Sequence, residues 1–208
     1  MLNSMVVKLT RPVHSRLRAS RSLMAAEIMR PSPSMSLLDI GGSPGFGGEF
    51  DSLRALFARV VVANLDPKTN VGPVAPNVSL AVADGCDLPY ADQSFDWVFS
   101  NAVLEHVGDR RKQEQFTREM RRVARIGYFL STPNRAFFLD PHTYLPFYHL
   151  LPEGMQRAAV HLSVGHMRSW QPLHLVSARQ LREMLPAAQV HSVGPMGLNL
   201  IAYSSPTP

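Results

Sequence analysis

The sequence has little with which to staple itself or to cross a membrane. Its 208 residues include one cysteine, Cys86, which excludes an intrachain disulfide framework and a cysteine-rich zinc module. No run reaches the ~20 consecutive apolar residues of a membrane span. The longest uncharged stretch, Met184 to Pro208, is interrupted by Pro186, Gly194, Pro195 and Gly197. Charged residues make up 18% against 45% hydrophobic, a balance that excludes a wholly disordered or collagen-like chain. A cytoplasmic protein without a membrane span is expected. Most of the chain also lacks a net charge. The first 30 residues carry six basic side chains against Glu27 alone, and the remainder carries 15 of each sign. The formal charge of +5 is therefore a property of an N-terminal arm. A basic body would suggest a nucleic-acid partner; a basic arm says much less.

Residues 1–34 form that arm. Its Arg- and Ser-rich composition is shared with organelle transit peptides. The plainer expectation is an amphipathic helix from about Ser15 to Met29, ending before Pro31 and Pro33, with Leu17, Leu23, Met24 and Ile28 at loosely helical spacing.

Residues 35–208 read as one domain in which strands and helices alternate. Ser36–Ile40, Arg59–Leu65, Val78–Ala83, Phe95–Ser100 and Ile126–Thr132 have the apolar and valine-rich character of buried strands. Phe50–Phe57 has helical periodicity. Asp109–Arg125 is a clear helix with Phe116, Met120, Val123 and Ala124 on one stripe and Asp109 as its cap. Ser177–Leu185 reads as a late helix. Val190–Val193 and Leu198–Tyr203 read as a closing hairpin. The pattern predicts an α/β fold: a mostly parallel sheet with helices on both faces and a C-terminal antiparallel hairpin. The aromatic- and histidine-rich segment at about 134–176 is too long for an ordinary connection and is expected to be a helical insertion.

In such a sheet, ligands bind beyond the carboxyl ends of the strands, where strand order reverses. The first tip runs through Asp39, Gly41, Gly42, Ser43 and Gly45 into a glycine-rich turn that lets the backbone approach an anionic ligand. The second ends at Asp66, 21 residues after Gly45, where a carboxylate can accept both hydroxyls of a ribose. The third carries Asp84, Gly85 and Cys86, a carboxylate for an adenine amino group and backbone N–H groups for ring nitrogens. The fourth places Asn101 at a strand tip, followed by Glu105-His106.

With Asp84-Gly85-Cys86-Asp87-Leu88-Pro89, Asn101-Ala102-Val103-Leu104-Glu105-His106-Val107 and Ser131-Thr132-Pro133-Asn134-Arg135, these tips resemble a class I S-adenosylmethionine-dependent methyltransferase of the type 11 branch, from about Leu37 to Thr132. The resemblance implies a Rossmann-like fold, S-adenosylmethionine as cofactor, and Asp39, Gly41, Gly42, Ser43, Gly45, Asp66, Asp84, Gly85, Cys86 and Asn101 as its contacts. One position departs from the family: Ser43, followed by Pro44, stands where the loop usually has its middle glycine. A dinucleotide-binding turn fits less well, because Phe50 falls where its third glycine belongs.

Methyl transfer from an activated sulfonium needs mainly alignment of the reacting groups. A base is needed only when the acceptor holds its proton tightly, as a hydroxyl does. His106, a turn beyond the fourth tip, and His142, beside Asp140 and Tyr144, are the candidates. The spacing of His142, His149, His161 and His166 matches no metal-ligand pattern, and no metal is expected. The arginines of the Asp109–Arg125 helix share it with Glu114 and Glu119, a solvated face rather than a nucleic-acid groove. The apolar run from Ala136 to Leu151 suggests a hydrophobic small-molecule or lipid-like acceptor. Two other functions fit the same motifs: an inactive methyltransferase-like subunit that only holds the cofactor, suggested by Ser43, and an RNA methylase, suggested by the arm.

Overall fold

Seven strands pair in the order β3-β2-β1-β4-β5-β7-β6. They are β1 (Ser36–Ile40), β2 (Arg59–Asn64), β3 (Val78–Val82), β4 (Phe95–Asn101), β5 (Ala124–Pro133), β6 (Gln189–Val193) and β7 (Asn199–Tyr203). The pairs among β1 to β5 are parallel, and β7 runs antiparallel to both β5 and β6. This computed structural model describes residues 19–43, 50–69, 72–165, 167 and 169–204. The strand order reverses between β1 and β4, so the ligand crevice is expected at their carboxyl ends.

Alternate residues of each strand feed two apolar layers. Leu38, Ile40, Val61, Val98, Leu130 and Leu200 pack under α3 (Arg110–Val123) and α5 (Ala178–Met184) through Phe116, Met120, Leu181 and Met184. Leu37, Val60, Val62, Trp97, Phe99 and Phe129 pack on the opposite face under α1 (residues 19–29) and α2 (Asp51–Arg54). Each fully buried aliphatic or aromatic side chain contributes about 1.5–3 kcal/mol, which explains why continuous apolar runs become central strands. Local signals set the helix starts. The Asp109 carboxylate accepts the Lys112 N–H at the start of α3, and Ser177 forms a capping box with Gln180 before α5.

Two expectations change. The buried face of α1 is Ser22, Ala25 and Met29, whereas Leu23 is 68% exposed. Ser22, Ala25 and Met29 follow i, i+3, i+7 spacing on one face, and Met24 and Ile28 of the expected stripe pack partly buried against the same core. Leu17 lies outside the described residues. The Phe50–Phe57 periodicity yields only a single α-helical turn, α2, followed by turn residues.

The segment after β5 leaves at Asn134 and returns beside it, where Asn134 bridges Val176. Its α-helical part is α4 (Glu153–Ala159), preceded by a 3-10 turn at Tyr148–Leu150 and followed by another at Val160–Leu162. Tyr148, Val160 and Met167 make a separate small core, and the Arg157 guanidinium lies 3.7 Å over the Trp170 ring, holding α4 to the loop behind it. Phe138 and Phe147 remain exposed.

Candidate active site

A cleft of about 470 Å³ opens at the carboxyl ends of the strands, within the size range of small-molecule sites. Its walls are mainly apolar. Gly41, Asp66, Asp84, Gly85, Cys86 and His106 line it together with Ala102, Val103 and Lys112. Gly41 has φ +78°, and a Cβ there would run into the Val103 side chain; only glycine suits both the dihedral and the space. Asp66 is exposed at the tip of β2. One of its carboxylate oxygens accepts the Lys68 N–H at 2.9 Å, which fixes the carboxylate at the cleft rim. An aspartate with a second oxygen at that rim, a glycine floor and apolar walls fit the adenosyl part of S-adenosylmethionine.

Three of the other contacts expected from sequence, Asp39, Gly42 and Ser43, surround Arg54. Asp39 is buried and paired with Arg54, whose Nε and Nη2 donate to Asp39 Oδ2 at 2.9 and 2.5 Å. Burial pushes the Asp39 carboxyl up from its ordinary value, and the Arg54 guanidinium opposes the rise. Arg54 Nη1 also donates to the Ser43 carbonyl and to Asp51 Oδ1, each at 3.0 Å. A Cβ at Gly42 would collide with Arg54 and Asp39. Asp39, Gly42 and Ser43 thus build an arginine clamp beneath the glycine turn and are not among the residues that line the described cleft. Asn64 closes it from β2 by donating to the Gly42 carbonyl at 2.7 Å. Gly45 lies outside the described residues. At the third tip, the Cys86 N–H donates to Asp84 Oδ1 at 2.8 Å. That N–H is consumed by the turn instead of facing a ring nitrogen. Burial pushes the Cys86 thiol up to about 11, which makes it an inert wall.

The surroundings of His106 are assembled from four separate segments. Ala102 takes a left-handed φ of 55° directly after β4, a conformation costly for a residue with a Cβ. It turns Leu104–His106 back over the strand tip as a 3-10 turn. Glu105 is fully buried. Its Oε2 accepts the Thr132 hydroxyl of β5 at 3.0 Å, and its Oε1 has no hydrogen-bond partner. Burial pushes its carboxyl up to about 7. His106 Nε2 lies 3.9 Å from Glu105 Oε1, and the His142 ring meets the His106 ring edge-on with centroids 5.4 Å apart. Ligand atoms of all three residues lie within 4.8 Å of one another. From α1, Arg21 Nε donates to the Asn101 side-chain carbonyl at 3.2 Å, so Asn101 meets the N-terminal helix.

His106 and His142, far apart in sequence, are thus neighbours, but the partner of His142 differs from expectation. Asp140 Oδ1 accepts the His142 N–H, the Thr143 N–H and the Thr143 hydroxyl. Its Oδ2 faces His149 Nδ1 at 3.9 Å. Asp140 therefore shapes the turn and not the His142 imidazole. Among the four histidines weighed for a metal, His142 and His149 face different carboxylates, and His166 lies outside the described residues. Sequence reasoning missed Glu105, Arg54 and Arg21 as parts of the site. Only Glu105, adjacent to His106, left a readable trace.

Residues 38–131 match the family described as methyltransferase domain. Over 50 residues the chain is 48% identical to ajmaline N-methyltransferase of Rauvolfia serpentina, a match covering 24% of this chain and 16% of that enzyme. The chain therefore spans only about a sixth of that curated relative. Among solved structures, a Haloferax volcanii protein in complex with the Trm112 methyltransferase activator superposes with TM-score 0.64 at 12% identity, over 96% of this chain and 94% of that one. An S-adenosylmethionine-dependent methyltransferase from Aquifex aeolicus superposes with TM-score 0.56 at 15% identity, over 99% and 98%. The chain has the Rossmann-like methyltransferase fold, and its residues 38–131 match the methyltransferase-domain family of the type 11 branch. The cofactor that goes with that domain is S-adenosylmethionine.

Proposed function

We propose that this domain works as an S-adenosylmethionine-dependent methyltransferase on a small, hydrophobic, hydroxyl-bearing acceptor. The observation that carries the reading is the buried Glu105 carboxyl with one unpartnered oxygen, set beside a histidine that lines the cleft. Bound at the β1–β4 tips, S-adenosylmethionine supplies an activated methyl group. Asp66 accepts hydrogen bonds from the ribose hydroxyls, and Asp84 takes the adenine edge. Gly41 keeps the floor open, and the Arg54 clamp holds the glycine turn above it.

A hydroxyl must lose its proton as the new carbon–oxygen bond forms. His106, at the cleft wall, takes that proton on an imidazole nitrogen, and Glu105 behind it stabilises the imidazolium in the fraction that is ionised, which grows as pH rises through about 7. His142 limits the ring's rotation from the other side. The mainly apolar walls of the cleft favour an apolar acceptor body and exclude water from the proton transfer. On α3, Arg110 pairs with Glu114 and Arg122 with Glu119 and Asp92. This internal pairing weighs against an RNA acceptor.

The test is labelled methyl transfer by the full chain into a panel of phenols, amines, lipids and RNA. Transfer to hydrophobic phenols, falling about 10²–10⁴-fold in His106→Ala, is expected. Label entering RNA alone, or turnover indifferent to His106→Ala, contradicts the proposal.

A further inference from the structure

A second cavity, of about 250 Å³, lies between the start of α3, the start of α5 and the two ends of the 134–176 segment. Its walls are mainly polar, in contrast to the cofactor cleft. Arg110, Gln113, Arg135, His149, His174 and Gln180 contribute the polar part, and no carboxylate side chain is among its lining.

The polar groups fall into two kinds. Some are already committed and form a rigid frame. Gln113 Nε2 donates to the Leu104 carbonyl at 3.2 Å and to the His174 carbonyl at 2.6 Å. His149 Nε2 donates to the Arg135 carbonyl at 2.9 Å, with its Nδ1 turned to Asp140. Arg110 Nη1 donates to the Gln180 carbonyl at 3.2 Å, and its Nε and Nη2 meet the half-exposed Glu114 and Glu183. The others carry donors that no described residue uses: the Arg135 guanidinium and the His174 imidazole. Both residues are exposed at the pocket rim. An arginine fork with all its N–H groups available matches the planar or tetrahedral oxygens of an oxyanion. Arg110 is also the first residue of α3, whose N-terminal end adds positive potential.

We propose that this cavity binds a small oxyanion, the phosphate or carboxylate end of a low-molecular-weight ligand, with Arg135 and His174 as its ligands and Arg110, already paired with Glu114 and Glu183, as part of the frame. The site is distinct from the methyl-transfer cleft and does not depend on the reading of that cleft. The two are linked through the backbone, because the His174 N–H donates at 2.9 Å to the carbonyl of Glu105, the neighbour of His106 in the cleft wall.

The test titrates the full chain with inorganic phosphate and, separately, with succinate by calorimetry, each against chloride at equal ionic strength. Saturable binding of either anion is expected. Arg135→Gln and His174→Asn should each weaken it about tenfold, the equivalent of one charge-assisted hydrogen bond. Arg135→Lys should restore only part of the loss, because a point charge replaces a fork. Stronger phosphate than succinate binding identifies a phosphate end, and the reverse a carboxylate. Uptake of neither anion beyond chloride overturns the proposal. So does wild-type affinity in the Arg135→Gln, His174→Asn double variant, with folding of each variant verified by its melting temperature.

Discussion

The glycine-turn side of the cleft, proposed for the cofactor, and the His106 side, proposed for the acceptor, each present carboxylates near strand tips and treat them in opposite ways. Asp39, at the end of β1, is buried against Arg54 and has both charge and geometry compensated. Asp66, at the end of β2, is exposed with its position set by the Lys68 N–H. Glu105, beyond β4, is fully buried, yet one oxygen faces a histidine across 3.9 Å and has no hydrogen bond. A fully paired buried charge can only hold structure together. A solvated one can exchange water for a ligand at little cost. A buried one left half-satisfied keeps its proton affinity high and is available for proton chemistry.

Three substitutions sharpen or break that contrast. The largest effect is expected from Arg54→Ala, which leaves Asp39 as an uncompensated buried charge and should cost about 3–5 kcal/mol in chemical denaturation. A loss under about 1 kcal/mol would mean that Asp39 is not held as a buried ion pair.

Glu105→Gln addresses the second carboxylate through pH. The folded pKa of about 7 lies above the ordinary 4.5, so the native state keeps a proton that the unfolded chain releases. The associated stability is fully present below about pH 4.5 and is lost as pH rises through about 7, by roughly 1–3 kcal/mol. Urea midpoints at pH 5 and pH 8 should therefore diverge in the wild type and converge in Glu105→Gln. Equal slopes in both proteins would remove Glu105 as the titrating group.

Asp66→Ala should be the mildest for the fold, within about 0.5 kcal/mol for an exposed side chain. It should nonetheless weaken S-adenosylmethionine binding by about 1.5–3 kcal/mol through lost charge-assisted hydrogen bonds. Calorimetric titration of cofactor into both proteins measures it, and unchanged affinity would take Asp66 out of the site.

The cofactor side was the more legible because its signals are local. Val60, Val61 and Val62, or Trp97, Val98 and Phe99, are apolar on both faces, as only a central strand requires. Asp66 and Asp84 then fall at the tips by counting along the chain. The acceptor side was less legible because its contacts are long-range and polar. Nothing near His142 in sequence announces His106, and the carboxylate two residues before it serves the backbone of the turn instead. Nothing in the sequence sets Arg54 apart from the other arginines; the fold lays it under the glycine turn, 15 residues from Asp39. In α1 the leucine that stood out is exposed, and Ala25 and Met29 are buried.

By itself the sequence determined the alternation of strands and helices, the caps of α3 and α5, and the order of the strand tips, because apolar periodicity and capping act over a few residues. Only the tertiary structure decided which carboxylate became a clamp, which stayed solvated at the cleft rim and which kept a proton near neutral pH. Burial and the distance to a partner set a charged group's energy, and both arise only when segments distant in sequence are packed together.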